Sequence, residues 1–301
     1  MTTAGVLTPF LQSTDAEFRA WVTQIIADLT AVGWVPYTVP SGQIDPLTVT
    51  KPTGGTQAMG YKYFTPDDGL ADFYLRVGFG AAAHGALEPG LWVAVGWNPS
   101  PVGIGWDDAR SSVHFLLYGQ NGNQGMTTIP RMCKSGSAFW FQWHEANGGG
   151  SSTNHAFGVD RWRDPDGTPN EDGIVIIAAG CGDTRNVDNY TQSLGTPNTF
   201  IEAVPAASGR MYPIAVNRAP YAAPNTSGTW SIGDHLGVSM VQGWHGGPTG
   251  PFLGAIVGSL TDFPATGDLA TVRIAGADHT FRRTDARPDN GGIGRYLMIW
   301  E

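Results

Sequence analysis

The sequence predicts a mainly β protein, an antiparallel β-sandwich or paired β modules, with one N-terminal amphipathic helix. From residue 60 onward, short apolar or alternating runs are separated by turn residues, the pattern of antiparallel strands. A period of about 3.6 residues appears clearly only near the N-terminus. The chain has 301 residues, with 11 Trp, 13 Phe and 9 Tyr to supply large apolar area, so a substantial core is expected.

The helix begins at Thr14, where Thr14-Asp15-Ala16-Glu17 spells a capping box and places two acids at the positive end of the dipole. Its apolar stripe is Phe18, Trp21, Val22, Ile25, Leu29 and Val32, and Gly33 supplies the C′ residue. Such a stripe must cover a sheet face or a neighbouring subunit. Candidate strands are 61–64, 73–78, 91–97, 113–118, 138–144, 173–179, 200–204, 210–216, 236–242, 252–260, 270–275, 279–284 and 296–300. The last but two and its successor form the clearest hairpin, TVRIAG and HTFRRT joined through Gly276-Ala277-Asp278. Gly-, Asn- and Pro-rich stretches at 147–154, 164–172 and 219–228 read as loops. The expected organisation is a helix and extended attachment segment over 1–58 and a β-rich body over 59–301, divisible into modules of about 59–160 and 173–301.

Charged residues make up 14% of the chain, against about 25% in an average domain, and the only lysines are Lys51, Lys62 and Lys134. A charge-poor surface suits packing against other subunits, because interface cores are depleted of charge; a composition bias toward Arg, Gly, Ala and Pro would look the same. A net charge of −9, with basic residues scattered apart from Arg161/Arg163 and Arg282/Arg283, opposes nucleic-acid binding. The opening MTTAGVLTPF lacks a basic stretch followed by an apolar run, and no run of about 18 apolar residues occurs. The expectation is a soluble chain without an ordinary export signal or membrane insertion. Cys133 and Cys181 lack metal-ligand spacing and read as reduced, small hydrophobes.

Candidate chemistry is sparse. Asp164, Asp166, Asn170 and Asp172 alternate around a glycine as Ca²⁺ ligands would, but Asp-Pro-Asp-Gly also suits an ordinary turn. No other cofactor is expected. The seven histidines show no HxH, HxxxH or HExxH spacing, although His144 and His155 could meet across a loop. No nucleophile elbow and no phosphate loop is present. Glycoside hydrolysis needs only two separated carboxylates, for which Asp160, Asp183 and Glu145 are candidates. Trp140, Trp143, Trp97 and Trp244 are candidate glycan-stacking platforms, set against the expectation that alternate strand positions fill the core.

The segments TPF and Thr14 to Trp21, then Gly33-Trp34-Val35, Gly42 to Asp45 and Thr48 to Pro52, are similar to a group of tailed-bacteriophage virion proteins. So are Gly60-Tyr61-Lys62-Tyr63-Phe64, Phe73 to Gly80, Pro89 to Gly96 and the closing TVRIAG…HTFRR pair, while 120–235 has no counterpart. The resemblance implies a non-catalytic structural component of a phage particle, with a tail or tail-tip position as first choice. It also implies packing with copies of itself and other virion proteins, and a virion location after synthesis in the host cytoplasm. The group has no catalytic residues to carry over. The alternative expectation is a module that binds host-receptor glycan, and the weaker one a cell-wall or capsule hydrolase.

Overall fold

The computed structural model describes residues 2–4, 14–39, 45–50, 57–81, 89–97, 111–118, 127–146, 152–164, 168–179, 182–183, 199–205, 212–213, 229–231, 238–244, 248–259, 269–274, 277–283 and 295–300. Their order is β1 (Thr2–Ala4), α1 (Asp15–Ala31), β2 (Val35–Tyr37), a 3-10 turn (Pro46–Thr48), β3 (Gln57–Thr65), β4 (Tyr74–Ala81), β5 (Pro89–Gly96) and β6 (Ser111–Tyr118). Then come β7 (Thr127–Ser135), β8 (Ala138–Ala146), β9 (Ser152–Arg163), β10 (Pro169–Ala179), β11 (Gly182–Asp183), β12 (Thr199–Pro205) and β13 (Tyr212–Pro213). The last are β14 (Thr229–Ser231), β15 (Val238–Trp244), β16 (Pro248–Ser259), β17 (Leu269–Ile274), β18 (Ala277–Arg283) and β19 (Arg295–Trp300). The protein is mainly β, with antiparallel sheets and one N-terminal helix.

Three sheets form. The first runs β1-β7-β8-β9-β10-β12-β13, the second β2-β3-β4-β5-β6-β11, and the third β14-β17-β18-β19-β16-β15. Among the described pairings only β14 with β17 is parallel. The first two sheets share one core, to which β3, β4 and β5 contribute Phe64, Phe73, Leu75, Val77, Phe79, Leu91, Val93 and Val95. The opposing face supplies Met132, Phe139, Phe141, Phe157, Val159 and Ile174. The third sheet approaches the first through β16, which lies near β8 and β9.

The predicted helix forms as written. Thr14 accepts from the Glu17 N–H at 3.2 Å and Glu17 returns the bond to the Thr14 N–H at 2.9 Å, so two orphan amides are satisfied reciprocally. At the other end Gly33 takes φ +102°, its N–H donates to Thr30 and the Trp34 N–H donates to Leu29. This is a Schellman cap, and its left-handed residue is why glycine follows Val32. The stripe Phe18, Trp21, Val22, Ile25 and Leu29 is buried in the shared core, with Trp21 edge-on to Phe79 at 5.5 Å. Because α1 lies beside β1 and the 3-10 turn, and that turn lies against β3, the helix closes one side of the sandwich. Its apolar face is therefore part of the core.

The closing hairpin also forms, with Val272 opposite His279 and Ile274 opposite Ala277. That register joins the strands through Ala275-Gly276, one residue earlier than the expected Gly276-Ala277-Asp278, so Ala277 and Asp278 belong to β18. The stretches read as loops at 147–154 and 164–172 are shorter than expected, since β9 begins at Ser152 and β10 at Pro169. A division between 160 and 173 passes through the β9–β10 hairpin, where Val159 faces Ile176. Of the candidate strand 210–216 only Tyr212–Pro213 is described as strand, and loop 219–228 lies outside the described residues.

Candidate functional site: the ionic end of the sandwich

Charge is buried at one end of the sandwich, where the β3–β4 connection reaches across to the first sheet. Lys134 on β7 and Arg161 on β9 occupy core-facing positions, opposite Phe139 and Ile174 in the strand registers. Both are buried, so each cation needs a partner inside. Arg161 donates from Nε to Asp68 Oδ2 and from Nη2 to Asp68 Oδ1 at 2.9 Å, a bidentate pair, and Nη2 also meets the Ala71 carbonyl at 2.7 Å. Its guanidinium lies over the Phe73 ring at 5.0 Å. Lys134 Nζ donates to the Pro66 carbonyl at 2.6 Å and lies over Trp34 at 5.7 Å from the ring centre.

The connection is shaped for this. Asp67 adopts φ +52°, Gly69 φ +79°, and Asp68 Oδ1 accepts from the Leu70 N–H, so the chain turns tightly around the carboxylate that receives Arg161. Glu171 adds a third tie by accepting from the Ala71 N–H at 2.7 Å. Burial pushes the Asp68 carboxyl up, but the Arg161 hydrogen bonds and charge, together with the Leu70 amide, outweigh it and hold the group below its usual range. Burial pulls the Lys134 ammonium below its usual value, against the opposing influence of Asp68 and Asp67.

Asp160 forms a second buried knot. Its carboxylate accepts from Ser137 Oγ at 2.6 Å, from the Arg161 N–H at 2.8 Å, from Arg163 Nε at 2.8 Å and from Arg163 Nη2 at 3.1 Å. Ser137 belongs to the β7–β8 turn, so this fully buried acid ties that turn to the end of β9. Asp160, a candidate hydrolytic carboxylate, has 0% exposure, and its oxygens are engaged by Ser137 and Arg163. Asp183 and Glu145 lie in β11 and β8, and their side chains are outside the described residues.

Two of the stacking candidates lie within the described residues. Trp140 is fully buried, and its ring lies so close over Gly158 that a Cβ there would stand 2.6 Å from ring carbons. Trp97 is buried and edge-on to Phe73 at 6.1 Å. Both rings fill the interior, as expected of alternate strand positions. Trp143 and Trp244 sit in β8 and β15 with side chains outside the described residues. The half-buried aromatic pair that the structure does bring together is Tyr37 with Tyr74, 4.9 Å apart, packed against buried Tyr61 and Tyr63 on the other face of the second sheet. The Arg76 guanidinium lies 4.8 Å over Tyr61 there.

Of the Ca²⁺ candidates, Asn170 donates to Asp164 Oδ1 at 3.0 Å and accepts from the Asp172 N–H at 3.1 Å, bonds that fasten the mouth of the β9–β10 connection. Asp166 lies outside the described residues. Among the described residues no group of three metal-ligating side chains gathers, and no helix is long and apolar enough to cross a membrane. His144 stands opposite Asn154 and His155 opposite Trp143, so the two histidine positions belong to opposite faces of the sheet. Cys133 is a buried free thiol, pushed up to about 12 by burial, against a smaller opposing effect of the N-terminal ammonium; Cys181 is outside the described residues. Comparisons of the chain with protein-family models, curated proteins and solved structures find no match.

Arg161 and Arg163 stand out in the sequence as one of two basic pairs, whereas Pro66-Asp67-Asp68-Gly69 does not figure among the expected loops, although its composition is that of a turn. Nothing in either segment alone says that they meet. Chemically, the arrangement supplies matched charges and short internal hydrogen bonds that fasten two sheets together.

Proposed function

We propose that this chain is a non-catalytic structural component of a tailed-phage particle, placed at the tail or tail tip and acting by oligomerisation and packing. The observation that carries the reading is the use made of buried charge: Arg161 and Lys134 bind Asp68 and the Pro66 carbonyl across the sandwich, and Asp160 binds Arg163 and Ser137 within the first sheet. Such ties stiffen a building block and leave those groups no role toward a substrate. The resemblance of the first hundred residues to virion proteins supplies the setting. A charge content of 14% supports subunit packing, because little charge must be desolvated.

Antibodies raised against the chain and applied to purified particles test this directly. Label at the tail or tail tip, with a fixed copy number by quantitative mass spectrometry, is the expected result. Absence from purified particles overturns it. Release of reducing sugar from capsule by the purified chain would put the hydrolase reading in its place, and binding of lipopolysaccharide fragments the receptor one.

A further inference from the structure

The edges of the sheets differ in how they are protected. Pro36 interrupts β2 and Pro213 ends β13, both on sheet edges, where a residue without an N–H deters further pairing. The β7 edge is handled otherwise. Pro130 guards its first half, but Met132, Cys133 and Lys134 are buried and carry no such guard. Their outer edge is covered by β1, with Thr2 opposite Lys134, Thr3 opposite Cys133 and Ala4 opposite Met132.

That cover is short. It has three residues, Thr-Thr-Ala, which pair with β7 through the backbone. Residues 5–13 connect it to the helix cap at Thr14, and nine residues span up to about 30 Å when extended. The same three pairs would form whichever copy donates the strand, so the free energy of pairing does not favour a chain's own β1.

We propose that β7 is a strand acceptor and that, in the oligomer, Thr2–Ala4 of one copy pairs along Met132–Lys134 of its neighbour. This rests on the reading of the chain as an assembling subunit. The exchange leaves the edge covered, as burial of Met132–Lys134 requires, and links successive copies without a large new interface.

Register supplies the test, because Thr3 faces the native Cys133 and opposed antiparallel residues lie within disulfide reach. The full chain carrying Thr3→Cys and Cys181→Ser is isolated as an oligomer, oxidised with diamide and separated without reductant. Exchange predicts chains linked covalently into dimers and longer ladders. A disulfide closed within single chains overturns the proposal, as does an oligomer that forms no disulfide. Deletion of Thr2–Gly5 is the second arm: exchange predicts dissociation to monomers with helix and strand content retained, whereas an intact oligomer overturns it. Particle labelling with the unaltered chain does not depend on which copy donates β1, so failure here is distinguishable from failure of the virion reading.

Discussion

Two acids at different regions of the same core, buried Asp28 and half-buried Asp68, are treated in opposite ways. Asp28 lies on the buried side of α1, where Gln24 donates to Oδ1 at 2.9 Å and Oδ2 has no hydrogen-bond partner among the described residues. Burial raises its carboxyl above the usual range, and the Gln24 bond opposes this only partly. Asp68, at the ionic end, is also desolvated but receives Arg161 twice and ends below the usual range. The difference shows what decides whether a buried charge helps the fold: a cation already held in place by a strand, not burial itself.

The largest expected effect comes from breaking the ionic end. Arg161→Met leaves Asp68 buried without its cation, and urea denaturation should show a loss of about 3–5 kcal/mol. Next is Gly158→Ala, which drives a methyl into the Trp140 ring and should cost about 1–3 kcal/mol in the same measurement. Thr14→Ala removes one half of the capping box on the helix side and should cost about 1 kcal/mol, read as a lower Tm.

The smallest effect has the opposite sign. Asp28→Asn should stabilise by about 0.5 kcal/mol at neutral pH, in the range of ordinary stabilising surface and polar replacements. The pH dependence separates the two acids. A carboxyl raised in the fold costs stability as pH rises through its unfolded value near 3.8, so the Asp28→Asn gain vanishes below that pH. A carboxyl lowered in the fold contributes above 3.8 and is lost as pH falls through its folded value, so the Asp68 contribution disappears in acid. Chemical denaturation of the parent, Asp28→Asn and Asp68→Asn from pH 7 to pH 2.5 checks both signs.

The same contrast explains what the sequence could and could not say. The helix side was legible because its signals are local: the capping box, the stripe from Phe18 to Leu29 and Gly33 lie in one continuous stretch. Strands β4 and β5 were legible because apolar side chains recur at every second position, and β8 because aromatic residues run through it. Strands β7 and β9 were not, because Lys134 and Arg161 occupy core-facing positions and break the alternation that marks a strand. Their burial makes sense only with Pro66 and Asp68 in place, residues about 70 and 90 positions away in the chain. Trp140 shows the reverse ambiguity: an aromatic strand reads alike for core and for ligand platform, and Gly158 opposite it settles the matter only once the register is known.

The claim that buried charge here serves to fasten the sheets is tested most directly by a double-replacement cycle on Asp68 and Arg161. Denaturation free energies are measured at pH 7 for Asp68→Asn, Arg161→Met and the double variant. The two single losses should exceed that of the double variant by about 1.5–3 kcal/mol, because each single change strands its partner in the core. Losses that add within about 0.5 kcal/mol would contradict the account, since the two side chains would then act independently of one another.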